Sequence, residues 1–343
     1  MKEIRFHKTH EATVTKSGNK SNEHGVWEIK DGQVLGNTAA VVSDNKLLKE
    51  LSYEFTDQTQ KHSIFSQIVL GKRFRLEGNV LLLADQFSAT GNLMHWSIDW
   101  LPRLAVIREK YPNFDEVDWI VAHRPTTKYN EYLFDQLALP IDKIVWADFK
   151  TNIDAETLIV PSPIHLQGDP PKWAVDYVKD TLSPNQTSPE KDPSRIYISR
   201  ERARSRKVQP TAEFEALIEK YGFQKIILED LDPIQQIQLF QSTEAIIAPH
   251  GAGLTHLIHC RRGTKVLELF SSAYAYICYA NIAKTLDLDY RHIVVDSKVR
   301  TTVPFEPFST NNGHPELSKL MSDNIELTET RDWDSLNEFL ETL

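Results

Sequence analysis

Cysteine is scarce: the 343 residues hold two, Cys260 and Cys278. Two thiols in a chain of this size make no disulfide framework and match no metal-ligand spacing. A reduced, cytoplasmic protein is therefore the expectation, and no metal site is assigned. Long apolar runs are missing as well. The longest, such as Val80 to Ala84, fall far short of the ~20 residues that cross a bilayer. The N-terminus, Met1-Lys2-Glu3-Ile4-Arg5, lacks the apolar stretch of a signal peptide, so contact with a membrane would be peripheral. Positive charge is also in deficit. A net charge of −9 argues against general nucleic-acid binding, which needs a basic face. It leaves room for one small anionic ligand held by a local cluster of arginines. Internal repeats and low-complexity tracts are absent.

What remains is the composition of a soluble globular protein, 41% hydrophobic and 25% charged. The length suits two domains of roughly 150 residues each. Residues 26 to 42, with Asp31-Gly32 between Val26–Ile29 and Gln33–Leu35, read as a hairpin joined by an Asp-Gly turn. From about residue 75 strands alternate with helices. Val80–Leu83, Asp118–Ala122, Lys143–Trp146 and Thr157–Val160 are the strands, and Leu93–Lys110 and Tyr129–Leu139 the helices. Such alternation implies parallel βαβ units, hence an α/β first domain over residues 1–170. Prolines at 161, 163, 170 and 171, a short amphipathic helix and the run Ser183–Pro189 mark a linker at 171–189.

The alternation then restarts over 190–325, with strands Arg195–Ser199, Lys225–Leu228, Ala245–Ala248 and Val266–Leu269. Helices are expected at Ala212–Tyr221, Ile234–Gln241, Gly253–His259 and Tyr276–Leu286, which makes a second doubly wound unit. Residues 326–343 end in an amphipathic helix whose packing surface the sequence does not reveal.

Three segments could carry chemistry. His250-Gly251-Ala252-Gly253-Leu254-Thr255 follows a strand and opens a helix, where parallel sheets bind ligands and helical N–H groups face anions. The glycines allow close backbone approach and Thr255 adds a hydroxyl; alone, the motif is also compatible with a plain tight turn. Arg195 to Lys207 holds five arginines and a lysine against one glutamate. Arg200, directly after the strand, and Arg206 with Lys207 are the candidate phosphate ligands, whereas Arg202 and Arg204 read as solvated. In the first domain, His95, Asp99 and Arg103 share one helical face at i, i+4 and i+8. A carboxylate-oriented histidine makes a general base; the competing reading is an Asp99–Arg103 ion pair with His95 stacked on an aromatic ring. Glu268 lies inside an apolar strand, where a charge needs a partner. A ribose hydroxyl or one of the arginines would serve.

Taken in order, Asn92–His95–Asp99-Trp100-Leu101-Pro102-Arg103-Leu104, Tyr197-Ile198-Ser199-Arg200, His250 to Thr255 and Gly263-Thr264-Lys265-Val266-Leu267-Glu268 resemble glycosyltransferase family 61. The match covers roughly residues 80 to 270 and its blocks are specific only together. His256 stands where that family commonly has Asn, and Gln209-Pro210 where an Asn-Glu pair is usual.

The resemblance implies a GT-B fold of two Rossmann-like domains. It also implies inverting, metal-independent transfer, with no cofactor, from a nucleoside-diphosphate sugar (a UDP-sugar foremost) to a glycan or lipid-linked saccharide in surface-polysaccharide or glycan synthesis. Arg200, Arg206, Lys207 and the turn from His250 through Gly251, Ala252, Gly253 and Leu254 to Thr255 would hold the diphosphate, and Glu268 the ribose. His95 or Asp99 would deprotonate the acceptor hydroxyl from the first domain. A sugar-nucleotide epimerase or hydrolase, or a non-catalytic nucleotide-sugar-binding scaffold, would share the donor cradle without the acceptor base.

Overall fold

The computed structural model describes residues 4–10, 24–54, 62–67, 69–164, 168–183, 193–209, 211–299 and 317–343. The chain divides into two compact units, one of residues 1–166 with 170–181, the other of 167–169 with 182–343. Most of the Ser183–Pro189 stretch, together with His165 and Pro210, lies outside the described residues. Among those described, no helix is long and apolar enough to cross a membrane.

The first unit is built on strands β1 (Ile4–His10), β2 (His24–Leu35), β3 (Ala40–Ser43), β4 (Lys46–Leu47), β5 (Phe74–Leu82), β6 (Trp119–Ala122), β7 (Ile144–Trp146) and β8 (Asn152–Pro161). Its helices are α1 (Gln86–Ala89), α2 (Arg103–Lys110), α3 (Lys128–Asp135) and α4 (Lys172–Leu182), the last occupying much of the expected linker. The strand order is β4-β3-β2-β8-β5-β6-β7, with β1 also on β2. β8, β5, β6 and β7 run parallel, as the alternating pattern predicts. The sheet is nevertheless mixed, because β2 joins β8 antiparallel.

The expected Asp31-Gly32 hairpin turn is one correction. β2 runs straight through it, with Lys30 opposite Thr157 and Gly32 opposite Ala155. Asp31 does adopt the left-handed backbone such turns use, at φ 48°. Gly32 is there for space: a Cβ would lie 2.8 Å from Leu158 Cβ. The chain reverses instead at residues 36–39, closed by Ala39 N–H donating to Gly36 O at 3.1 Å.

A second correction concerns the helix expected over Leu93–Lys110. Residues His95–Trp100 form a π-helical turn, and α2 starts only after Pro102. Proline has no N–H to donate and its ring crowds the carbonyl one turn back. The chain widens instead, and Leu101 N–H reaches Trp96 O at 3.0 Å.

Arg103 fixes this turn to the sheet. It is buried, and its guanidinium donates to Leu83 O at 3.0 Å, Leu82 O at 3.3 Å and Asp85 Oδ2 at 2.5 Å. Trp100 Nε1 adds a bond to the same Leu83 carbonyl at 2.7 Å. Both residues thus cap the carboxyl end of β5, whose Val80, Leu81 and Leu82 are buried on both faces.

The second unit contains β9 (Arg195–Ile198), α5 (Ala212–Lys220), β10 (Gln224–Ile226), α6 (Pro233–Ser242), β11 (Ala245–Pro249), β12 (Lys265–Ser271), α7 (Cys278–Thr285), β13 (Asp289–Val295), α8 (Leu317–Leu320) and α9 (Thr330–Leu340). Its sheet, β10-β9-β11-β12-β13, is parallel throughout. The terminal helix finds its partner here: Leu336, Phe339 and Leu340 are buried in one core with Tyr197, Phe214, Ile247 and Leu267. The helix expected over Gly253–His259 is a tighter 3-10 segment, Ala252–His259. Gly251 and Gly253 are poor α-helix formers, and Gly253 sits so close to Leu228 that a Cβ would fall 2.6 Å from its Cδ1.

Removing the carboxylate partner of Arg103 leaves a buried cation short of its countercharge. Asp85→Ala is expected to destabilise the protein by about 3–5 kcal/mol, measured by urea unfolding. A loss under about 1 kcal/mol would show that the carbonyls alone satisfy Arg103.

Candidate functional site

The second unit concentrates its unusual chemistry beyond the carboxyl ends of β9, β11 and β12, where a parallel sheet binds ligands. β11 ends at Pro249, and His250 and Gly251 follow it as buried residues. Ala252 and Gly253 are half-exposed, while Leu254 and Thr255 turn inward. Gly251 is required by contact. A Cβ there would lie 2.1 Å from Arg200 NH1, so the guanidinium occupies the space a side chain would fill.

Arg200 is half-buried just past β9, and among the described residues its guanidinium hydrogen-bonds only to Ser205 O, over a long 3.4 Å. Burial, and then the like charge of Arg206, push it down to about 10. Arg206 approaches from the same loop, its guanidinium 5.6 Å from the centre of the Tyr274 ring. Its backbone is left-handed, φ 56°. That strain is held by Arg206 N–H donating to Asp323 O at 3.1 Å and by Asn324 Oδ1 accepting from Lys207 N at 3.0 Å. The buried Arg206 Nε has no hydrogen-bond partner among the described residues.

Other candidates in this loop turn elsewhere. Lys207 Nζ donates to Glu201 O at 2.8 Å. Arg202 pairs with Asp230 on the surface, as its solvated reading anticipates. His256 is buried and shares a 2.8 Å hydrogen bond with Gln236 Oε1, which makes it a packing position.

Glu268 is fully buried in β12. Its Oε1 lies 2.5 Å from His250 Nδ1, and its Oε2 accepts from Tyr290 Oη at 2.6 Å. The partner that a charge in an apolar strand demands is thus a histidine and a tyrosine. The His250 ring is enclosed by Phe270, Tyr274 and Tyr279 at centroid distances of 5.0–5.5 Å. Burial pushes Glu268 up to about 8 and, with the charges of Arg206 and Arg200, holds His250 well below the usual histidine value.

In the first unit, the π-helical turn brings His95 Nδ1 within 2.7 Å of Asp99 Oδ2. Asp99 is buried, and His95 keeps 22% of its side chain exposed, so the imidazole is the accessible member. The alternative Asp99–Arg103 pair does not form, because Arg103 is committed to Asp85 and the β5 carbonyls. His95 also packs on Phe87, 5.5 Å between centroids.

Sequence reasoning missed a neighbouring cluster. Ser88 Oγ lies 2.8 Å from both Asp85 Oδ1 and His123 Nδ1, at the ends of β5 and β6. Asp85 with Ser88 three residues on is a legible capping pattern, but nothing local points from it to His123. Tyr274, Tyr279 and Tyr290 carry no motif, and only the fold brings them to His250.

Comparison with known proteins bears directly on these two sites. Residues 93–267 match the family model "Glycosyltransferase 61", a span that begins two residues before His95 and reaches through Arg200 and the His250 turn. A beta-1,2-xylosyltransferase of Oryza sativa subsp. japonica is 41% identical over 59 residues, 17% of this chain and 11% of that protein. An EGF domain-specific O-linked N-acetylglucosamine transferase of Drosophila melanogaster is 33% identical over 98 residues, 28% of this chain and 18% of that protein. The chain matches these relatives over less than a fifth of their length. The family model, in contrast, extends over half of the 343 residues and takes in His95, Asp99, Arg200, Arg206 and His250: this chain belongs to the glycosyltransferase 61 family.

Proposed function

We propose that the protein is a glycosyltransferase that moves a sugar from a nucleoside diphosphate, with UDP the first nucleotide to test, to a hydroxyl of a glycan or lipid-linked saccharide. In this reading the second unit holds the donor. Arg200 and Arg206 meet the diphosphate, and N–H groups of the Gly251–Gly253 turn complete the cradle. The first unit supplies the acceptor base: His95, with Nδ1 against Asp99, takes the hydroxyl proton on Nε2 as attack proceeds. Attack from the face opposite the departing diphosphate inverts the anomeric centre. The two-domain GT-B architecture belongs to the same proposal, as does peripheral contact with a membrane-bound acceptor.

The observation that carries the reading is the Arg200 guanidinium beside Gly251 with the like charge of Arg206 close enough to act on it. Two cations are gathered where burial already disfavours one, and a buried N–H of Arg206 is left without an acceptor among the described residues. An anionic ligand with several oxygens relieves both costs. As the glycosidic bond breaks, charge grows on the leaving phosphate, and preorganised cations there stabilise the transition state more than the ground state.

Calorimetric titration with UDP, GDP and CDP, paired with sugar-transfer assays, tests this. Arg200→Ala is expected to weaken nucleotide binding roughly ten- to hundredfold, the worth of a charged hydrogen bond of about 1.5–3 kcal/mol. Unchanged affinity would remove Arg200 from the donor site. His95→Ala and Asp99→Asn are each expected to lower kcat about a hundredfold or more while UDP affinity survives. Full activity in both would retire the π-helical turn as the catalytic element, and nucleotide binding without acceptor-dependent release would favour a scaffold.

A further inference from the structure

Glu268 and Tyr290 stand behind His250 in an arrangement that a simple ribose contact does not require. Both carboxylate oxygens are engaged within the protein, one by an imidazole at 2.5 Å and one by a phenol at 2.6 Å. The three side chains come from adjacent parallel elements: His250 follows β11, Glu268 lies in β12 and Tyr290 in β13. Glu268 shows no exposed surface. Tyr290 falls beyond the stretch matched by the family model, which ends at residue 267.

We propose that Glu268 and Tyr290 are positioning residues that store a proton for His250, which becomes charged when the donor diphosphate binds. This rests on the donor reading above and assigns a role to residues that reading leaves unused. In the free protein burial favours the neutral pair, a carboxylic acid donating to His250 Nδ1. The neutral imidazole then carries its own hydrogen on Nε2. When the diphosphate enters beside Arg200 and Arg206, its negative charge offsets theirs and favours imidazolium. One proton passes from Glu268 Oε1 to His250 Nδ1, and the pair keeps its net charge of zero. Tyr290 Oη, already donating to Oε2, stabilises the carboxylate left behind. His250 Nε2–H, now part of a cation, donates to the phosphate oxygen that receives the electron pair of the breaking glycosidic bond. No further proton leaves the ring.

The surroundings suit such a transfer. Arg200 and Arg206 face the pair from the loop after β9. Tyr274 and Tyr279 enclose the ring, with Cys278 beside them. On the far side, Tyr290 is joined on β13 by His292, which lies 6.1 Å from both the Tyr290 and Phe270 rings. The aromatic walls keep the local dielectric low, so the charge of a bound ligand is felt strongly.

Nitrogen NMR of ¹⁵N-histidine-labelled protein, with the His250 signals assigned against His250→Gln, tests the transfer directly. Saturating UDP is expected to move both His250 ring nitrogens from neutral-imidazole to imidazolium shifts. In Glu268→Gln the ring is expected to stay neutral with UDP bound, with kcat down about tenfold or more and UDP affinity within about threefold. Tyr290→Phe, which alters only the hydroxyl, is expected to lower kcat about two- to tenfold. Wild-type kcat/KM, which reports groups of the free enzyme, is expected to fall as pH rises through about 8, the value to which burial pushes Glu268, and Glu268→Gln to lose that limb. Neutral His250 shifts in UDP-saturated wild type would overturn the proposal. So would a Glu268→Gln protein whose only defect is weak UDP binding, since that marks a ribose ligand. Failure of the wild type to bind UDP at all would remove the donor reading, and this inference with it.

Discussion

Everything at the second unit's site turns on positive charge gathered where water is partly excluded. Arg200 fills the space left by Gly251, and Arg206 lies in the same loop, above Tyr274. Burial and the like charge of Arg206 both raise the cost of keeping Arg200 charged. Such an arrangement persists only when the surrounding structure compels it. Here the compulsion is visible: a left-handed backbone at Arg206, pinned by Asp323 and Asn324. The fold spends stability to keep two cations beside a turn of backbone N–H groups, and a polyanionic substrate recovers it.

Arg103 shows what an arginine looks like when it serves the fold instead. It is more deeply buried than Arg200, yet it is met by two carbonyls and a carboxylate. Arg103 Nε, like Arg206 Nε, is buried without a hydrogen-bond partner among the described residues, so what sets Arg103 apart is the Asp85 carboxylate on its guanidinium. Exposure separates the histidines. His256 is fully buried with Nε2 on Gln236, whereas His95 keeps an exposed edge with its other nitrogen fixed on Asp99. An imidazole oriented by a carboxylate yet open to solvent is equipped to accept a proton.

How much of this was legible in the sequence depends on range. Patterns set by neighbouring residues read well: the parallel strands, the placement of His250 at a strand end, and the i, i+4 pairing of His95 with Asp99. Features decided by distant contacts did not. Asp31-Gly32 carries a turn signature, but β8 lies alongside it and Leu158 fills the space above the glycine. The glycines of the His250 turn read as clearance for a ligand; in the structure their clearance admits Arg200 and Leu228. Glu268 was identified as a charge in need of a partner, while the partners themselves, His250 and Tyr290, lie 18 and 22 residues away. Lys207 belongs to the same basic run, and its amine donates to the Glu201 carbonyl, a contact the run itself does not announce.

The central claim is that paired guanidiniums and a glycine turn in the second unit bind the diphosphate of a sugar donor. A crystal structure with UDP tests it most directly. The account predicts phosphate oxygens within about 3 Å of the Arg200 and Arg206 guanidiniums and of N–H groups in the Gly251–Gly253 turn, with His250 Nε2 on the terminal phosphate. UDP lodged elsewhere, with these groups unchanged, would contradict it.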